Sequence, residues 1–421
     1  MSIKVLIVDD SSFFRKRLSE IISGDPMLEV AGEAADGKEG VEKTMSLRPD
    51  VVTMDVEMPV MDGVTAVKEI MRKCPTPVLM FSSLTYEGAD STLKALDAGA
   101  VDFMPKNFSD IAHRREEAIG NLRSLIKAVA RSRIRGRAIS RPAAPASQAL
   151  SAASPSFHSS ALHAPGAAAS SALPRIHAST ISTAPGPVVS SATRSQYDRI
   201  NDMLTHDQGV PAAAMKFSFG THKSETTAYR RSGVRHSLLA IGSSTGGPIA
   251  LQNIIPKLPK LPVPVVVVQH MPGSFTKTFA QRLDGMSQLS VVEAKDGDIL
   301  QPGTCYIAPG GMQMIFERAG TSARVRILKD NGRVSYNPCV DVSFASLSQI
   351  YGGRILAMIL TGMGSDGCEG CRLMKQKGSI IWAQNEETCV VYGMPQAIVN
   401  AGIADLVLPL DEIAEDITKE F

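Results

Sequence analysis

Between Glu117 and Asp198 the sequence contains no aspartate or glutamate, and much of the interval reads "RPAAPASQALSAASPSFHSSALHAPGAAASSALPRIHASTISTAPGPVV". Ala, Ser and Pro offer little large apolar surface to bury, so the entropy lost on ordering such a stretch is not recovered. This predicts a disordered linker over residues 131–233. The 421 residues must then fold as two pieces, 1–130 and 234–421, each with its own core. The arginines at 131, 133, 135 and 137 read as the solvated end of a helix, and the histidines at 158, 163 and 177 have no companions at metal-ligand spacing.

In the first piece, strand-like runs ("IKVLIVDD", "LEVAGEA", "DVVTMDVEMP", "PVLMFSS", "VDFMPK") alternate with helical ones. Five strands separated by helices predict a flavodoxin-like, five-stranded parallel sheet covered on both faces. In the second piece, "LLAIGSS", "PVPVVVVQH", "TCYIAPGG", "ARVRIL", "RILAMILTG" and "SIIWAQ" are strand candidates, with helices expected at 248–258, 274–284, 341–351, 367–377 and 394–401. That pattern predicts a second α/β domain, doubly wound, mostly parallel and Rossmann-like.

The opening "MSIKVLIVDDSSFF" meets two aspartates too early for a signal peptide, and no apolar run reaches the ~18 residues that span a bilayer. A soluble, cytoplasmic protein with no membrane insertion is expected. A net charge of +2 argues for neither a nucleic-acid nor a membrane-surface partner, and no nucleic-acid partner is expected. The six cysteines are mostly scattered singly, as suits a reducing compartment, and the one C-x-x-C, Cys368 to Cys371, has no second ligand pair and reads as structural.

Asp9 and Asp10 follow the first strand and Asp55 ends the third. In a flavodoxin-like order those strand ends are neighbours at the topological switch point, so the three carboxylates converge. Such a cluster repels itself unless a hard divalent cation, Mg²⁺, neutralises it. Ser82, ending the fourth strand, and Lys106, after the fifth, bring a hydroxyl and an ammonium to the same rim. Together these groups suit transfer of a phosphoryl group to one aspartate. Singly, each has an ordinary reading as a helix cap or loop residue. As a set they resemble the response-regulator receiver domain over the whole first piece. The resemblance implies that Asp55 is phosphorylated, that Asp9, Asp10 and Asp55 hold Mg²⁺, that Ser82 and Lys106 are the switch hydroxyl and lysine, and that Phe103 is the aromatic switch residue.

The turn "IGSSTGGP" raises a separate question. It lacks the third residue of a G-x-G-x-x-G fingerprint starting at Gly242, and no lysine follows Gly247 as a P-loop requires. Read as G-x-S-x-G, it presents Ser244 on a sharp strand-to-helix turn, either as a nucleophile or as a helix cap. A nucleophilic serine needs a base and an orienting acid. His270, ending the next strand, and Asp366, in "LTGMGSDG", are the candidates, with an edge histidine and a helix cap as their ordinary readings. His236 precedes its strand and is poorly placed. The order Ser, His, Asp differs from that of α/β-hydrolases. Glycines at 362 and 364 would let backbone N–H groups approach an oxyanion.

The runs "IGSSTGG", "QHMP", "YIAPGG", "VDVSF", "ILTGMGSDG", "CVVYGMPQAI" and "GIADLVLPL" are similar, from about residue 234 to the end, to the catalytic domain of the chemotaxis protein-glutamate methylesterases, the CheB family. The resemblance implies Ser244 as nucleophile, His270 as general base and acid, Asp366 as its orienting partner, Met363 as backbone oxyanion donor and Thr245 beside the site. It further implies hydrolysis of glutamyl methyl esters on methyl-accepting chemoreceptors, with no cofactor for that step, deamidation of certain receptor glutamines, and a chemotaxis histidine kinase as phosphodonor. Two departures stand out. Gln313 occupies a position where the family carries histidine, which predicts an altered auxiliary contact to substrate, and the linker is longer than is usual, which predicts looser packing between the domains. Two rival readings are a regulated receptor-binding module without turnover, which a missing triad residue would favour, and an esterase serving receptors outside motility. No triad residue is missing.

Overall fold

A computed structural model of the chain describes residues 2–106, 111–132, 198–200, 202, 231–329, 332 and 334–421, with side chains at 111–115 and 117 not described. Most of the expected linker therefore lies outside the described residues. Within it, residues 198–200 and 202 are helical and Ile200 is buried.

The first domain runs β1 (Ile3–Val8), α1 (Ser12–Ser23), β2 (Leu28–Ala34), α2 (Gly37–Leu47), β3 (Val51–Asp55), α3 (Gly63–Lys73), β4 (Val78–Ser82), α4 (Tyr86–Asp97), β5 (Asp102–Pro105) and α5 (Ile111–Arg131). Its strands form one parallel sheet in the order β2-β1-β3-β4-β5. β3 and β4 are buried at every residue, as a central parallel strand between two helical layers must be. Short polar side chains start the helices: Ser11, Asp36, Asp62 and Thr85 each accept a hydrogen bond from a first-turn N–H.

The second domain contains β6 (Leu238–Ser243), α6 (Gly247–Ile254), β7 (Val265–Gln269), α7 (Gly273–Asp284), β8 (Ser290–Glu293), β9 (Thr304–Ile307), β10 (Gln313–Ala319), β11 (Ser322–Leu328), α8 (Val340–Tyr351), β12 (Ile355–Ile359), α9 (Cys368–Gln376), β13 (Ile380–Gln384), α10 (Met394–Asn400), β14 (Leu406–Leu408) and α11 (Leu410–Glu420). Seven of these strands form a parallel sheet in the order β14-β13-β12-β6-β7-β9-β8. The run "ARVRIL" falls in β11, which pairs antiparallel with β10 outside that sheet. From β6 the chain builds outward through β7 on one side, then returns to lay β12 on the other. The carboxyl ends of β6, β7 and β12 therefore flank a switch-point crevice.

β5 and α4 of the first domain pack on α7 of the second. Phe103 stacks on Phe275 with ring centroids 4.5 Å apart, Asp97 pairs with Arg282, and Lys277 lies over the Tyr86 ring. The long linker does not prevent this packing, because the entropy of closing a loop grows only logarithmically with its length. Among the described residues, no helix is long and apolar enough to cross a membrane.

Candidate active site

Ser244 is the first residue beyond β6, in a turn fixed by backbone bonds on both sides. Its N–H donates to Thr361 O at 3.1 Å, and its carbonyl accepts from Gly247 N at 2.8 Å and from the Gln269 amide at 2.9 Å. Gly246 sits at φ 75°, and a Cβ there would lie 2.6 Å from Val390. A Cβ on Gly362 would come within 2.9 Å of the Ser244 Cβ, so a glycine after β12 is what lets the two loops meet. Gly362 is itself pinned, donating to Val391 O and accepting from Gly393 and Met394 N–H. Met363 follows it directly.

His270 follows β7, and its N–H donates to Ser243 O at 3.1 Å. Its ring is mostly buried, with Nε2 2.8 Å from Asp366 Oδ2. Nδ1 is buried without a hydrogen-bond partner, so the Ser244 hydroxyl is not bonded to it. The Asp366 carboxylate is saturated: Oδ2 also accepts from Val340 N at 2.7 Å, and Oδ1 accepts from Asp341 N at 2.9 Å and Cys339 Sγ at 3.2 Å. Burial opposes the charge, but His270 and these N–H groups outweigh it and hold the carboxyl below the ordinary carboxylate range. The neighbouring Asp341 is pushed well above that range by burial and by Asp366. The pair therefore carries its negative charge on Asp366, against the His270 ring.

In the first domain the carboxylates of Asp9, Asp10 and Asp55 converge, each offering an oxygen within 4.8 Å of the others. Lys106 Nζ bridges Asp9 at 2.8 Å and Asp55 at 2.5 Å and lies over the Phe14 ring. Burial raises the Asp55 carboxyl to about 6 despite Lys106. An all-carboxylate oxygen set of this kind fits Mg²⁺, which these three residues would hold. Ser82 is buried at the end of β4, but its hydroxyl donates to Ser83 O and Gly88 O rather than to a carboxylate.

Two residues link the sites. Asp102, at the start of β5, is buried, and its Oδ2 accepts from Gly246 N at 3.3 Å while Thr245 bonds it through the side chain. Burial lifts this carboxyl to about 7. Thr245 thus lies beside Ser244 and under the hand of the first domain, and Phe103 is the next residue along.

A family model described as CheB methylesterase matches residues 239–417, and one described as response regulator receiver domain matches residues 5–114. The chain is 50% identical over 423 residues to protein-glutamate methylesterase/protein-glutamine glutaminase 2 of Photobacterium profundum, covering 100% of this chain and 99% of that one. It is 48% identical to the protein of that name numbered 1 from Vibrio cholerae, with the same coverage. The chain belongs to the protein-glutamate methylesterase/protein-glutamine glutaminase family. The crystal structure of the Thermotoga maritima CheB methylesterase catalytic domain is 42% identical over 45% of this chain and all of that one, with a TM-score of 0.43. The Photobacterium and Vibrio relatives align with the chain end to end, so its length is shared within the family.

Sequence reasoning missed several residues of this methylesterase-type crevice. Gln269 holds the serine turn, taking the Ser243 hydroxyl at 2.6 Å while donating to the Ser244 and His270 carbonyls. Its position next to His270 was the available signal. Cys339 reaches Asp366 from a loop that no spacing rule ties to it. Gln313 is fully buried, and its amide donates to Tyr336 O at 2.6 Å and to Asn337 Oδ1 and accepts from Cys339 N at 3.0 Å. With its amide engaged inside the fold, Gln313 scaffolds the loop that carries Tyr336 and Cys339. His236 lies away from the crevice and pairs with Glu420 at 2.8 Å.

Proposed function

We propose that the protein is a phosphorylation-activated serine hydrolase of the cytoplasm that demethylates glutamyl methyl esters on chemoreceptors, releasing methanol, and deamidates specific receptor glutamines. Residues 1–130 act as the receiver, 131–233 as the linker and 234–421 as the catalytic domain. The observation that carries the reading is the His270–Asp366 pair, in which a buried carboxylate saturated with donors bonds the imidazole, next to Ser244 at the end of the neighbouring strand.

In the proposed reaction Ser244 Oγ attacks the ester carbonyl while His270 Nδ1 takes its proton. Asp366 keeps Nε2 protonated and stabilises the imidazolium that forms. The Met363 N–H, on a loop held by Gly362, donates to the developing oxyanion. His270 then protonates departing methanol, and a water repeats the sequence to free the glutamate. This chemistry draws on side chains and backbone alone.

A histidine kinase supplies the phosphoryl group to Asp55, and Mg²⁺ held by Asp9, Asp10 and Asp55 would neutralise charge during the transfer. Lys106 holds Asp55 from the β5 side, and β5 also carries Asp102 and Phe103. Engaging Lys106 with a phosphoryl group would re-seat β5, weaken the contacts to Thr245, Gly246 and Phe275, and shift the domains toward an open arrangement. The test is methanol release from methyl-labelled receptor membranes. The intact protein releases methanol, whereas Ser244→Ala is slower by roughly four orders of magnitude or more. Equal release from both would remove Ser244 as the nucleophile.

A further inference from the structure

We propose that Tyr336 is a positioning residue for the base, an inference that rests on reading His270 as that base. The Tyr336 ring lies flat on the imidazole, with centroids 4.3 Å apart and planes 6° from parallel. The imidazole is held at Cγ by its own Cβ and at Nε2 by Asp366, and neither hold resists a tilt of the ring plane about the line joining them. Nδ1, the nitrogen that must meet the serine proton, is buried with nothing bonded to it. A flat aromatic surface removes the tilt, and it adds a favourable π face when the imidazole becomes charged.

The platform is held from behind. The Gln313 amide grips the carbonyl of Tyr336, the side chain of Asn337 and the N–H of Cys339. Two donors and one acceptor in one plane suit a carboxamide, whereas a neutral histidine has one of each. The same segment continues into Cys339, Val340 and Asp341, which all donate to Asp366. A single loop therefore sets the base through the Tyr336 ring and the acid through its backbone. At the far end of the phenol, a Cβ on Gly364 would lie 2.9 Å from the hydroxyl, so the ring also abuts the loop that carries Met363.

Near-attack geometry is sensitive to small displacements, so freeing the imidazole should slow the chemical step while leaving substrate binding alone. The experiment compares Tyr336→Leu and Tyr336→Phe in the full chain with wild type. Tyr336→Leu is expected to lower kcat for methanol release by roughly ten- to a hundredfold with KM within about twofold, and Tyr336→Phe to stay within about threefold of wild type. Histidine-selective ¹⁵N labelling gives a readout without substrate: the Nε2–H resonance bonded to Asp366 stays sharp in wild type and Tyr336→Phe and broadens in Tyr336→Leu. A kcat within twofold of wild type in Tyr336→Leu, a loss in Tyr336→Phe as large as in Tyr336→Leu, or an unchanged resonance in Tyr336→Leu would each overturn the proposal. If the wild type releases no methanol, the esterase reading fails on its own, and the resonance still decides whether the ring orients His270.

Discussion

Asp55 and Asp366 both lie at the carboxyl edge of a parallel sheet beside its switch point, and both are buried, yet their surroundings push them in opposite directions. Asp366 collects two backbone N–H bonds, a thiol and the imidazole, and is held ionised. Asp55 has Lys106, one long backbone contact from Glu57 at 3.4 Å and two carboxylate neighbours, and burial raises its carboxyl to about 6. A carboxylate saturated by donors has its lone pairs committed and serves to hold another group. One that is buried and short of donors retains oxygens for a cation and for a phosphoryl group. Burial alone does not assign the role; the count of donors does.

The same substitution at each site breaks this comparison most sharply. Asp366→Asn leaves the donors of Val340 and Asp341 facing an amide and removes the charge behind His270. The esterase rate should fall by roughly 10⁴-fold, with phosphorylation of Asp55 intact, as methanol release and phosphoprotein analysis would show. Stability should also drop by about 1–3 kcal/mol, measured by denaturant unfolding, because buried donors lose their acceptor. A smaller rate loss than tenfold would mean that Asp366 only shapes the loop.

A third buried carboxylate sharpens the contrast. Asp102 sits between the domains with its carboxyl raised to about 7, and on opening it would titrate near the ordinary value of about 4. The closed form then binds the extra proton. Its Asp102 contact is at full strength below about pH 4, weakens as pH rises, and has lost all it will lose once the buried carboxyl ionises above about 7. The ratio of rates without and with phosphodonor should therefore rise severalfold from about pH 5 to about 7.5 in the wild type and stay flat in Asp102→Asn. Taking the ratio cancels the pH dependence of the chemical step, which both forms share. A rise of equal size in Asp102→Asn would place the pH sensitivity elsewhere.

The receiver half was readable almost completely, since four of its five strands, all but β2, lead into a candidate site residue, and strand order alone brings those ends together. The catalytic half was readable along its central strands, where Ser244, His270 and Asp366 follow β6, β7 and β12. Its margins were not. β8 and β14 are short edge strands of four and three residues, β10 pairs only with β11 outside the main sheet, and α11 follows β14 directly with no side-chain cap at its start. Tyr336 and Gln313 stayed hidden for another reason. Their partners are 66 and 23 or more residues away along the chain, and neither periodicity nor motif spacing relates a loop tyrosine to a strand-end histidine. Nothing in the run "VDFMPK" singled out Asp102, because its partner, Gly246, lies in the other domain.

Phosphorylation at Asp55 is proposed to govern the serine turn through β5. The direct measurement is the rate of methanol release from methylated receptor membranes by wild type and Asp55→Asn, each with and without a small phosphodonor and Mg²⁺. Equal basal rates are expected, with a severalfold rise in the wild type and none in Asp55→Asn. Equal stimulation of both proteins, or no stimulation of a wild type shown to be phosphorylated on Asp55, would contradict this proposal.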